Sequence, residues 1–208
     1  TGKASHEMSG NPTRSDSGRL LACYDITLDS NGCLQRAVRI DPQAEAQGRK
    51  WYAYVETDLP NPWYNNQTYV NTLDPEAIRR FLEMTHERYL QAVGKDFGSL
   101  IPAIFTDEPQ FSRKSCLGFA ADAILPWSDD VPDTFRQAWG EDLLAHLPEL
   151  IWELPDGQVS LIRYHYHDHI AERFASAFAD QCGEWCAKHG LMLTGHMNEE
   201  PTLLSQTS

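Results

Sequence analysis

The chain has 208 residues, 41% of them hydrophobic, enough apolar material to bury a substantial core, so a folded unit is expected and not a tail or linker. Thirty acidic residues against 17 basic ones give a formal net charge of -13, which argues against a nucleic-acid partner, because binding a phosphate backbone rests on lysine and arginine displacing counterions. Nothing approaches a run of about 18 apolar residues, so no membrane span is expected, and the N-terminus lacks the charged, apolar, small-residue order of a secretory signal.

Residues 1–18 are polar, without apolar period, and read as loop or as the remnant of a missing element. Two apolar runs, Arg19 to Leu28 and Cys33 to Ile40, flank Asp29-Ser30-Asn31-Gly32, and Asn-Gly is a strong hairpin signal because both residues tolerate positive φ. An antiparallel hairpin is predicted over 19–48. The run Trp51 to Val55 is aromatic and β-branched enough for a strand, and it ends in Glu56 and Asp58 before the loop LPNPWYNNQTYVN. A helix follows, with Asp74 as cap, Pro75 in its first position and Glu76 complementing the dipole. Ile78, Phe81, Leu82, Tyr89 and Val93 share its face until Gly94.

Leu100 to Phe105 is a short continuously apolar strand, the pattern expected when both faces are covered, and it opens onto Thr106-Asp107-Glu108-Pro109. Strand, helix, strand in that order predicts a right-handed parallel unit. After a long irregular loop over 109–130, Pro132 to Trp139 and Glu141 to Leu150 read as short helices. Val159 to His189 reads as a long one, with Ile162, Tyr166, Ile170, Phe174, Phe178 and Trp185 at helical spacing and Gly190 as its stop. A last strand, Leu191 to Thr194, ends in Gly195-His196-Met197-Asn198-Glu199-Glu200. No internal repeat is visible.

Three predicted parallel strands thus finish in carboxylates: Glu56 with Asp58, Asp107 with Glu108, and Glu199 with Glu200. In parallel α/β folds the carboxyl ends of the strands form the active-site face, so these acids would converge on one cleft. Glycoside hydrolysis needs such a set: one carboxylic acid protonates the leaving oxygen, and another carboxylate attacks the anomeric carbon or activates water. Acids at strand ends also cap helices and solvate loops, so three ends together carry more than any one. Pro109 is expected to keep Glu108 in an extended turn, out of helical geometry. Trp63, Tyr64, Tyr69, Phe111 and Trp127 in the following loops offer flat apolar faces to sugar rings, or pack at the rim, with Asn61, Asn65, Asn66 and Asn198 as hydroxyl partners.

Other constellations read as structural. His165 and His169 lie four apart on one helical face, a metal-ligand spacing, but without a His-Glu-x-x-His pattern a solvated or packed face is expected. Cys182 and Cys186 are expected to be a small apolar pair in a helix core. The five cysteines, Cys23 and Cys33 and Cys116 with that pair, are odd in number and irregularly spaced, which speaks against a disulfide framework. His196 stands on the strand that delivers Glu200 and would orient substrate or a carboxylate.

The run YVNTLDPEAIRRFLEMTHERYLQAVGKDFGSLIPAIFTDEPQF, with EWCAKHGLMLTGHMNEEPTLLSQ far downstream, resembles the catalytic barrel of large multidomain glycoside hydrolases of the α-L-rhamnosidase type, family 106 and its relatives. The likeness covers Tyr69 to Phe111 and Glu184 to Gln206, and rests on Phe105 to Pro109 and on Thr194 to Glu200 with Leu203. It implies a barrel fold and carboxylate-mediated hydrolysis of glycosidic bonds, α-L-rhamnosides among them, in plant or microbial polysaccharides. Glu108 is then the proton-donor candidate and Glu200 the base or nucleophile. Glu199 stands where the pattern has no acid, and Pro201 replaces a second one. Calcium is implied only by some relatives; otherwise no cofactor is expected.

The fold expected is therefore α/β: a partial (β/α)8 barrel over 19–208 carrying the 19–48 hairpin as an insertion. A complete barrel takes about 250 residues, so the chain reads as a fragment whose partners would be the remaining barrel strands and a sugar-binding domain of its parent. The catalytic candidates are Glu108 and Glu200, and the substrate-binding candidates Asp107, His196, Asn198, Glu56, Trp63 and Tyr64. Two alternatives stay open: a non-catalytic carbohydrate-binding domain, and a metal-dependent hydrolase using Asp107, Glu108, His196 and Glu200.

Overall fold

The computed structural model of the chain describes residues 18–57, 60–111, 115–116 and 123–196. Helices and strands are mixed, as expected of an α/β chain, and they fall into two compact units. The first takes Thr1–Tyr69 and Ser112–His169, the second Val70–Phe111 and Ile170–Ser208.

In the first unit β1 (Arg19–Leu28) is the centre of an antiparallel sheet, between β2 (Leu34–Ile40) and β3 (Arg49–Val55). The predicted hairpin joins β1 to β2. Gly32 takes a φ of 80° and its N–H closes a turn on the Asp29 carbonyl at 3.1 Å, while the Asp29 carboxylate accepts from the Asn31 and Cys33 N–H groups. Only Gly32 of the Asn-Gly pair uses positive φ, the arrangement of a turn closed by a single left-handed residue.

Trp51 to Val55 corrects the sequence reading. It lies in β3, which pairs antiparallel with β1, Tyr24 opposite Trp51, and so is no parallel barrel strand. Apolar alternation marks a strand but carries no information on the direction of its partner. The segment between β2 and β3 is fixed by Asp25 at the middle of β1, only 3% exposed. Its carboxylate accepts from Arg36 Nη1 at 2.6 Å and from the Gln47 and Gly48 N–H groups at 3.1 and 2.7 Å. Those donors hold its pKa below the ordinary carboxylate range, Arg36 contributing most. Gly48 is required there, since a Cβ would stand 2.2 Å from the Ile26 carbonyl oxygen.

The short strands β5 (Ser115–Cys116) and β6 (Ala123–Ile124) pair antiparallel. Helices α3 (Val131–Trp139) and α4 (Leu143–His146), then a 3-10 turn over Leu147–Leu150, match the two short helices predicted. Trp152 is fully buried and meets Trp51 edge-on at 5.3 Å, and Leu143, Leu147, Leu150 and Phe135 are buried in the same unit.

The long predicted helix is α5 (Leu161–Phe174), a π-helical segment over Ala175–Asp180, and α6 (Gln181–Lys188). All six of its predicted core residues are buried. Gly190, at φ 70°, ends it: the Leu191 N–H reaches the Cys186 carbonyl at 2.9 Å and the Gly190 N–H the Ala187 carbonyl at 3.2 Å, a Schellman closure.

In the second unit the predicted helix 74–94 forms as two, α1 (Pro75–Met84) and α2 (His86–Val93). Asp74 caps α1 as expected, its carboxylate accepting from the Glu76 and Ala77 N–H groups. The break falls at Thr85, whose hydroxyl donates to the Phe81 carbonyl at 2.7 Å and competes with the helix ladder. Ile78, Leu82 and His86 are buried one turn apart, whereas Tyr89, placed on that face by the sequence reading, is exposed. Helix α6 packs beside β7 (Met192–His196), which pairs in parallel with β4 (Ala103–Asp107). The strand predicted at Leu100 to Phe105 thus starts and ends later. The face that carries Phe105 is open and not covered as expected: Phe105 is 61% exposed, and Met192, on the same face of β7 beside Ala103, is 64% exposed.

Candidate functional site

Parallel pairing of β4 with β7 sets Ala103 beside Met192 and, four residues on, Asp107 beside His196. Both strands therefore present their carboxyl ends together, with the histidine of one beside the acid of the other. His196 Nε2 lies 2.9 Å from Asp107 Oδ1. Because a carboxylate only accepts, the proton of a neutral His196 sits on Nε2 and leaves Nδ1 as the basic atom. The pair is open to water, the Asp107 side chain at 76% and His196 at 36% exposure. The Phe105 ring lies 5.6 Å from the imidazole.

One residue further, the Glu108 N–H donates to the His196 carbonyl at 3.0 Å, extending the ladder past the end of β4. Glu108 is half-buried, Pro109 is buried, and Glu108 takes a φ of 45°. The expected extended turn is therefore corrected to a left-handed one. Proline excludes right-handed helical geometry from the residue before it, and the ladder bond to His196 settles the rest. A side-chain-bearing residue at positive φ is a local strain of the kind that concentrates at functional sites.

Gly195 makes the close approach possible. At φ 148° it faces Thr106 across the ladder, and a Cβ there would stand 2.0 Å from the Thr106 carbonyl oxygen. The sequence reading gave it no role, although a glycine directly before the strand's terminal histidine marks a place where two backbones meet.

No family model, curated protein or solved structure matches this chain.

Of the sequence candidates, Asp107, Glu108 and His196 meet at one pair of strand ends. Glu56, Trp63 and Tyr64 belong to the first unit. Glu56 ends an antiparallel strand and is exposed, so it does not share a parallel strand-end face with Glu108 as expected. Trp63 (87% exposed) and Tyr64 (37%) sit on a hydrogen-bonded loop. Asn61 bonds Gln67 across its base and caps the Pro62–Tyr64 turn, while Asn65 and Asn66 take φ of 54° and 58°. Asp58, Asn198, Glu199 and Glu200 lie outside the described residues.

Among the described residues no three His, Cys, Asp or Glu side chains are placed to hold a metal ion. Calcium takes roughly six to eight oxygen ligands; at these strand ends the described residues bring two carboxylates, Glu108 and Asp107, the latter with Oδ1 turned to the His196 imidazole. His165 and His169 are engaged separately. His165 stacks on Trp139 at 4.0 Å and meets Glu141 at 3.0 Å, and His169 meets Thr134 Oγ1 at 2.9 Å with Phe135 edge-on. Cys182 and Cys186 are fully buried, and burial pushes the Cys182 thiol up to about 12, with Cys186 adding to the rise. Such thiols are inert packing groups.

Proposed function

We propose that the chain is the catalytic part of a glycoside hydrolase, cleaving a glycosidic bond in an oligo- or polysaccharide, with α-L-rhamnosides the substrates first to be tried. The observation that carries this reading is the meeting of Asp107, Glu108 and His196 at the carboxyl ends of two adjacent parallel strands. Glu108 serves as proton donor to the leaving oxygen. Glu200 serves as base or nucleophile, and Asp107 and His196 bind substrate hydroxyls or tune the acid beside them. Asn198 is assigned to substrate hydroxyls as well. The two parallel strands with their helices are, on this reading, part of a (β/α)8 barrel whose other strands belong to the parent chain, as does a sugar-binding domain.

Acid-assisted cleavage needs a carboxyl that holds its proton until the bond breaks and releases it to the departing oxygen. Glutamine keeps the shape of Glu108 and removes that proton. Glu108→Gln is therefore expected to lower turnover of an alkyl α-L-rhamnoside by about 10²- to 10⁴-fold while sugar binding, followed by calorimetry, persists. Full turnover in that variant defeats the proposal.

A second reading draws on the almost fully exposed Trp63 on its bonded loop. A flat, exposed apolar ring on a loop that also carries Asn61, Asn65 and Asn66 suits a sugar face, and a carbohydrate-binding role without catalysis would rest on it. Under that reading Trp63→Ala abolishes binding, and the wild-type chain turns over no glycoside.

A further inference from the structure

Glu108 holds a backbone conformation that residues with side chains leave unless their neighbours fix it. On the upstream side the fixing bond is the one from its N–H to the His196 carbonyl. The downstream side is fixed from elsewhere in the same unit. The Gln110 carbonyl, two residues on, accepts from Thr72 Oγ1 at 2.8 Å, and Thr72 is 2% exposed. Thr72 is itself held in a bonded turn: the Leu73 N–H donates to Asn71 Oδ1 at 3.1 Å, and the Leu73 carbonyl accepts from buried Arg173 Nη2 at 2.7 Å. Phe111 packs edge-on to Phe174 at 5.5 Å, so the chain beyond Gln110 is tied to the helix that carries Arg173.

We propose that Thr72 is a positioning residue for Glu108, its buried hydroxyl clamping the Gln110 carbonyl so that residues 108–110 keep the left-handed turn that aims the Glu108 carboxylate. This rests on the reading of Glu108 as the acid. Without the hydroxyl, proline favours extended backbone at Glu108, and the carboxylate turns with it. Proton transfer in a bound complex is sensitive to displacements of about an ångström. A purely structural threonine would behave differently: its loss would lower stability and leave the Glu108 turn unchanged.

The test compares wild type, Thr72→Val, which keeps the shape and removes the donor, Thr72→Ala, and Thr72→Ser, which keeps the donor. The Glu108 13Cα chemical shift reports its backbone conformation, and kcat and KM are measured on an alkyl α-L-rhamnoside, whose leaving alcohol needs the proton. Thr72→Val is expected to move the Glu108 shift toward extended values and to lower kcat by about 10- to 100-fold with KM held within about twofold, and Thr72→Ser to restore both. Should Thr72→Val not fold, Thr72→Ala gives the same reading. An unmoved Glu108 shift in either folded variant overturns the clamp, whatever the activity. A moved shift in Thr72→Val with unchanged kcat upholds the clamp and overturns the acid role of Glu108, which Glu108→Gln checks separately.

Discussion

At the scale of single residues, the site is shaped by two that depart from ordinary backbone geometry. Gly195 has no Cβ, which lets β7 approach Thr106, and Glu108 bends away immediately after the strand pair ends. A third residue, His86, links sequence to stability. It is 5% exposed between the Phe81 and Trp185 rings, with Nδ1 at 2.8 Å from Thr85 Oγ1, and burial lowers its pKa, partly offset by neighbouring Glu87. The unfolded chain takes up this proton near pH 6.5, the folded chain only at lower pH. Between those two values the unfolded state binds more protons, so stability falls as pH drops below about 6.5 and levels off below the folded pKa. Urea midpoints measured from pH 8 to pH 5 are expected to show that decline, and His86→Gln to flatten it. An equal decline in both proteins would remove His86 from the account.

At the scale of elements, helices were more legible in the sequence than strands. Asp74, Pro75 and Glu76 announced the start of α1 because capping is chemistry within a few residues. Asp74→Ala is accordingly expected to cost about 1 kcal/mol in urea unfolding, and Asp74→Asn much less. The stop at Thr85 was missed, since it depends on a hydroxyl turning back to Phe81. The buried stripe Ile162, Tyr166, Ile170, Phe174, Phe178, Cys182, Cys186 repeats every four residues, slightly longer than the 3.6 of an α-helix. Over seven positions it would drift around the cylinder, and the wider π turns at Ala175–Asp180 bring it back. Strands gave up less. The short run at Trp51 to Val55 showed a strand but not its antiparallel partner, because pairing is settled by residues far away along the chain. The strand, helix, strand order expected to join Trp51–Val55 to Leu100–Phe105 in parallel fails with it. The two other strands expected to run parallel do pair, as β4 and β7, but that they are neighbours, with Asp107 beside His196, was not legible, since the residues joining them give no register.

For the chain as a whole, a net charge of -13 gives a field that favours neutral or cationic ligands over polyanions, a balance that suits the neutral sugar proposed as substrate. The candidate residues divide between the two units, and the acid–base chemistry proposed here needs only Asp107, Glu108 and His196 of the described set, all in the second. Its central claim is that Glu108 delivers a proton to the departing oxygen. A leaving group acidic enough to depart as an anion needs no such proton, whereas an alcohol does. The most direct measurement is therefore the rate of Glu108→Ala relative to wild type on an alkyl glycoside and on a dinitrophenyl glycoside of the same sugar. Loss of about 10²- to 10⁴-fold on the first, with near wild-type bond cleavage on the second, is the expected result. Equal rates on both, whether unchanged or lost together, would contradict it.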